Sequence, residues 1–173
     1  MTSDQVPLYS LHLIPLSETH IAKTYTWIQN PELRRLFLMR GEVSWRAHLG
    51  YFHKILNDPS QVWYAVIADD AHVGNCGIMI LSRENKECTL WIYIGDTSLR
   101  GRGIGTSATR MLIEKAFNFL DMNRIIIHVA GYNNQALRMY RTLGFTEISP
   151  SREEEWLNRG CEIIRMALAR YAP

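Results

Sequence analysis

Cysteine is scarce in this sequence and badly spaced for cross-linking. Cys76, Cys88 and Cys161 are odd in number, far apart, and form no Cys-x-x-Cys pair. A disulfide framework or a zinc site is therefore not expected; reduced, buried thiols in a cytoplasmic protein are. No uninterrupted apolar run reaches the ~18 residues of a membrane-spanning helix. Met1 to Tyr9 lacks the basic start and apolar stretch of a secretory signal. An excess of one charge is also missing: 19 Lys and Arg face 17 Asp and Glu, a net charge of +2. That is too little for a nucleic-acid-binding arm or a polybasic membrane anchor. Internal repeats, low-complexity tracts and linkers are absent too.

What remains is the composition of an ordinary folded protein, 47% apolar and 21% charged over 173 residues. At about 150 residues per domain, that length implies one domain over residues 1–173. Leu11 to Leu16 reads as a strand. Ser17 can cap a helix running through Trp27 and Ile28. Asn30-Pro31 breaks it, and Pro31 suits the first position of a short helix to Leu38. Ser44 can cap a third helix to Leu56, with Trp45, Leu49, Phe52 and Leu56 on one stripe. Val62 to Ala68, Val73 to Leu81 and Glu87 to Gly95 are β-rich runs separated by turns. From Ile104 to Leu120 the apolar positions Ala108, Met111, Leu112, Ala116, Phe119 and Leu120 fall at helical spacing. Arg124 to Ala130 returns to strand and Asn133 to Leu143 to helix. Phe145 to Ile148 and Glu162 to Leu168 close as strands around a polar loop that is acidic at Glu153, Glu154 and Glu155. This order predicts an α/β fold, a mixed central sheet with helices on both faces.

The sharpest feature is Arg100-Gly101-Arg102-Gly103-Ile104-Gly105, between a strand and an amphipathic helix. Three alternating glycines let backbone amides point outward with no Cβ in the way. The helix that starts here offers unpaired N–H groups and its positive dipole end. Arg100 and Arg102 add charge and Thr106 a hydroxyl, so the turn predicts an anion site. Two other phosphate motifs fail on spacing. The dinucleotide fingerprint wants a third glycine where Thr106 stands, and the P-loop's terminal Gly-Lys-Ser/Thr does not occur.

The pattern Arg-x-x-Gly-x-Gly between strand and helix resembles the acyl-CoA signature of the GNAT N-acyltransferase superfamily. A second block, Asn133-Asn134-Gln135-Ala136-Leu137-Arg138-Met139-Tyr140 with Gly144-Phe145, is similar to that family's Asn-x-x-Ala-x-x-x-Tyr…Gly-Phe block. The resemblance implies a sheet splayed between its fourth and fifth strands, and acetyl-CoA as co-substrate, with no metal. The amides of Gly101, Arg102, Gly103, Ile104, Gly105 and Thr106, beside Arg100, would hold the pyrophosphate. The strand end Ile92-Tyr93-Ile94 would pair with the pantetheine arm, and the splay against Ile127-His128-Val129 would admit the thioester. Asn133 would touch the pantetheine or cap its helix. Tyr140 would protonate the departing thiolate, a role its type suits, since a phenol of pKa about 10 is protonated at neutral pH. Asn133 and Tyr140 are seven residues apart and share a helix face.

The resemblance departs at the base. Many relatives carry Glu where Thr89 stands, and Thr cannot accept a proton near neutral pH. Glu87 lies on the same strand face and His128 on the facing strand; ordered water is a further route. A missing strong base points to an amine less basic than lysine's, whose pKa is about 10.4. The residues between His20 and Pro59 carry six Lys and Arg against three acids. That favours an anionic acceptor over a polycation. The stretch Trp27-Ile28-Gln29-Asn30-Pro31-Glu32-Leu33-Arg34-Arg35 resembles acetyltransferases for nucleotide-linked amino sugars of the pseudaminic acid pathway. More loosely, it is similar to ribosomal-protein N-terminal acetyltransferases. Trp27, Asn30, Arg34, Thr89 and Trp91 are the expected acceptor-binding residues. The expected partner is a small-molecule amine, not nucleic acid or membrane, and a homodimer is compatible with this. Three functions stay open: an amino-sugar N-acetyltransferase, a protein N-terminal acetyltransferase, and a non-catalytic acyl-CoA-binding module.

Overall fold

The computed structural model describes residues 9–149 and 161–170. The acidic run Glu153, Glu154 and Glu155, most of its polar loop, and residues 1–8 lie outside that range. The sheet is built from β1 (Leu11–Pro15), β2 (Gln61–Ala68), β3 (Ala71–Ser82), β4 (Glu87–Ile94), β5 (Arg124–Ala130), β6 (Thr146–Glu147) and β7 (Ile163–Ala169). The helices are α1 (Ile21–Ile28), α2 (Pro31–Leu36), α3 (Trp45–Leu56), α4 (Ile104–Glu114) and α5 (Asn134–Thr142). The strand order is β1-β2-β3-β4-β5-β7-β6. Only the β4–β5 pair is parallel; the other neighbours are antiparallel. Two parallel neighbours need a crossover, and α4 supplies it.

The alternation along β4 sorts its side chains as its sequence predicts. Cys88, Leu90, Ile92 and Ile94 join the main core with Ile104, Ala108 and Leu112 of α4 and Leu137 and Tyr140 of α5. The other sheet face packs Ala65 against Leu16, Ile21 and Phe52, under α1 and α3. There Trp63, Gly77 and Trp91 sit in register on three adjacent strands. The bare Gly77 lets the two indoles meet, centroids 4.2 Å apart; a Cβ would lie 2.8 Å from the Trp91 ring.

Two helices differ from their sequence patterns. On α3 the buried side chains are His48, Phe52 and Ile55, while Trp45 and Leu56 are exposed. The helix face is rotated because His48 is accommodated in the core, its Nε2 3.2 Å from the Ile21 carbonyl. Beyond α4 the chain widens into a π-type turn, Lys115–Phe119. The extra residue per turn breaks the 3.6-residue register, and Phe119 ends 80% exposed.

Burial holds the pKa of His48, and of the half-buried His72, below the ordinary 6.5. Above that pH both are neutral folded or unfolded. As pH falls from 6.5 toward their lower native values, the unfolded chain takes up protons that the folded chain does not, so stability falls. The urea midpoint should therefore drop between about pH 7 and about pH 5.5, and drop less in His48→Gln. A midpoint that holds or rises on acidification contradicts this.

Candidate active site

β4 and β5 pair only at Glu87↔Arg124 and Cys88↔Ile125. Beyond those two rungs the strands diverge, so the β5-facing edge of Thr89–Ile94 opens into a groove. The groove has a volume of about 660 Å³, within the ~300–1,000 Å³ usual for small-molecule sites. Its walls are Thr89 to Ile94 on one side and Ile127 to Ala130 on the other. Asn133 and, on α5, Gln135, Met139 and Tyr140 close it on one side, and Glu32, Leu33 and Leu36 of α2, with Phe37 just beyond, on the other.

At one end lies the glycine turn. Gly101 and Gly103 adopt φ of 74° and 81°, left-handed values that a side chain resists. Gly103 is the N-cap of α4 and brings no side-chain cap. The first helical bond runs from the Ser107 amide to the Gly103 carbonyl, 3.0 Å, which leaves the amides of Ile104, Gly105 and Thr106 at the helix's positive end. The Ile104 side chain is buried, so only its backbone is on offer. Gly101, Gly103, Gly105 and Thr106 all line the groove. The arginines are engaged elsewhere. Arg100 donates from Nε to the Ile94 carbonyl, 3.1 Å, and pairs with Glu32 at 2.7 Å. Arg102 donates to the Tyr9 hydroxyl, 3.0 Å. The direct hydrogen-bond donors free at this turn are its backbone amides; Arg100 lines the groove with its charge paired to Glu32, and exposed Arg102, bonded to a neutral hydroxyl, still adds a positive charge.

Tyr140 lines the groove at 6% exposure, its ring edge-on to Phe145 at 5.3 Å. Burial pushes its phenol above the ordinary 10.0, so it carries its proton throughout the neutral range. Asn133 is the N-cap of α5, its side chain accepting from the Ala136 amide at 3.2 Å, and it also lines the groove. Thr89, Trp91 and His128 are in the walls. Glu87 is not; it pairs with Arg124 at 3.4 Å, at the closed end of the splay.

Three expected acceptor residues stand outside the groove. Trp27 is buried against His72 and Tyr93 and so close over Gly95 that a Cβ there would overlap its ring. Asn30 spends its side chain on α2, accepting from the amides of Glu32 at 2.9 Å and Leu33 at 3.3 Å. Arg34 does not reach the lining. Besides Glu32, the α2 residues Leu33 and Leu36 line it, with Phe37 just past the helix, and none of these was among the expected acceptor residues. The i, i+3, i+4 spacing of Leu33, Leu36 and Phe37 was the available signal.

A family-wide comparison decides the assignment: residues 10–146 match the family described as acetyltransferase (GNAT) domain. The chain belongs to this GNAT acetyltransferase family. Its acyl donor is accordingly acetyl-CoA. The chain is 25% identical over 160 residues to an N-acetyltransferase 9-like protein of Nematostella vectensis, covering 80% of this chain and 76% of that one. It is 23% identical over 131 residues to the acetyltransferase PseH of Campylobacter jejuni, covering 76% and 80%. Among solved GNAT structures, spermidine N-acetyltransferase from Vibrio cholerae, in complex with CoA and spermine, superimposes with a TM-score of 0.82. That match covers 92% of this chain and 95% of the other at 19% identity. Among the described residues, no cluster of His, Cys, Asp or Glu could hold a metal ion. No helix among them is long and apolar enough to cross a membrane.

Proposed function

We propose that this enzyme acetylates the amine of a small anionic acceptor, a nucleotide-linked amino sugar, by direct attack on acetyl-CoA. The observation that carries the choice of acceptor is the charge of the groove. Among the described residues it has one carboxylate, Glu32, already neutralised by Arg100. A polycationic acceptor would need more acid than that. The neighbouring segment carries Arg34, Arg35 and Arg40, and a guanidinium fork suits a diphosphate.

In this reading the amides of Gly101 to Thr106 hold the coenzyme's pyrophosphate, and the open edge of Ile92, Tyr93 and Ile94 pairs with the pantetheine amides. The neutral amine attacks the thioester carbonyl and the carbon–sulfur bond breaks. Tyr140 gives its proton to the departing thiolate. The ammonium formed on the acceptor loses its proton to water, and Tyr140 is reprotonated from solvent. Thr89 stands where a base would help, and the lower basicity of a ring-borne amine removes part of that need. We place the reaction in the cytoplasm, where the unbridged Cys76, Cys88 and Cys161 remain thiols.

A panel of amines incubated with acetyl-CoA and a thiol reagent tests this. Thiol release with UDP- or dTDP-linked amino sugars, well above that with spermidine, is the expected result. Release only with peptides beginning in Ser or Ala would make it a protein N-terminal acetyltransferase. Greater release with spermidine would overturn the charge argument. Coenzyme binding with no acceptor in the panel would favour a non-catalytic module.

A further inference from the structure

The splay is an open V, and one short helix crosses its mouth. α2 is fastened to both arms. On the β4 side, the Glu32 carboxylate accepts from Arg100 at 2.7 Å, the first residue of the glycine turn. On the β5 side, the Tyr132 hydroxyl donates to the Arg35 carbonyl at 2.7 Å, and the Arg35 guanidinium lies 4.5 Å from the Tyr132 ring centroid. Tyr132 sits in the turn between β5 and α5, next to Asn133. Between the two ties, Leu33 and Leu36 face the groove.

Beyond these ties, Asn30 caps the start of α2 and Phe37, just past its end, meets the Tyr93 ring edge-on at 5.7 Å. The helix has six residues, and Leu33 is its one buried side chain. A helix that short has no stability of its own in water. Its order depends on its fastenings, and the two ties sit on the coenzyme-binding turns.

We propose that Glu32 and Tyr132 are positioning residues that strap α2 across the splay, so that filling the coenzyme site orders the acceptor's mouth. This rests on the reading that the coenzyme occupies the groove. A coenzyme that fixes residues 100–106 and 131–133 fixes both anchor points, and through them α2. Linkage makes the effect reciprocal: an acceptor that orders α2 tightens coenzyme binding by the same factor.

Hydrogen exchange read on residues 31–40, with and without CoA, tests the strap without knowing the acceptor. CoA should slow exchange there in the wild type. In the double variant Glu32→Gln/Tyr132→Phe that slowing should be lost, while calorimetry still reports CoA binding. Each tie is one hydrogen bond, so each single variant should raise the acceptor KM about two- to tenfold, with kcat little changed. Tyr132→Phe keeps the ring under Arg35 and should have a smaller effect than Tyr132→Ala. Exchange in 31–40 that ignores bound CoA overturns the strap, as does a double variant that keeps full protection. A wild type that binds no CoA at all overturns instead the reading of the groove beneath it.

Discussion

Tyr140→Phe is expected to lower kcat by about a hundredfold or more, the usual contribution of a positioned general acid. Affinity for CoA and thermal stability should barely move. The substitution removes one oxygen and leaves the ring packed on Phe145. The size of the effect follows from burial. The wall of the groove penalises charge: burial raises the Tyr140 phenol above its ordinary value. On the proposed reading the coenzyme thiolate leaves beside Tyr140, where a proton donor stabilises it. Of the two groove-lining phenols kept protonated by burial, Tyr93 has its hydroxyl hydrogen-bonded to Asn75, which leaves Tyr140 as the expected donor. Thiol release measured at saturating acceptor from the amine panel gives kcat directly. A loss of less than about threefold would remove Tyr140 from the chemistry, since that is far below any general-acid contribution.

Gly103→Val should weaken CoA binding by about ten- to a hundredfold, the cost of one or two charge-assisted hydrogen bonds. Two effects are mixed in that variant. At φ of 81° a β-branched side chain strains the backbone, on the order of 1–3 kcal/mol. On the proposed reading that side chain would also intrude where the pyrophosphate lies. Gly144→Ala separates the two. Gly144 follows α5 at φ of 92°, away from the glycine turn, so it carries the strain alone. The Gly144 variant should lose stability and keep its CoA affinity; the Gly103 variant should lose both. Calorimetry showing equal CoA affinity in wild type and Gly103→Val would contradict the assignment of the turn.

The parts of the site legible in the sequence are those where backbone conformation demands a residue type. Gly101 and Gly103 announce a turn because left-handed backbone favours glycine. Pro31 and the Asn30 cap mark the start of α2, and Asn133 that of α5. The β4 alternation separates Leu90 and Ile92 from Trp91 and Tyr93. What was hidden depends on partners distant in sequence. His48 fills a core position through a hydrogen bond to α1 that no apolar pattern registers. Asn75 is fully buried, donating to Thr24 at 2.8 Å and to the Tyr93 hydroxyl at 2.7 Å; a lone Asn in a strand gives no hint of that hub. Asn30 and Arg34 belong to a stretch that resembles acceptor-binding sequence, yet Asn30 serves the helix itself. The ties of Arg100 to Glu32 and Tyr132 to Arg35 span 68 and 97 residues, and only the folded splay brings them together.

The central claim is that the coenzyme lies in the splay with its diphosphate on the glycine turn. The most direct measurement is a CoA titration followed by the amide resonances of the labelled protein. The account predicts the largest shifts at Gly101, Gly103, Ile104, Gly105 and Thr106, with a second group along Ile92–Ile94. Saturating shifts confined to other parts of the chain, with those amides unmoved, would contradict it.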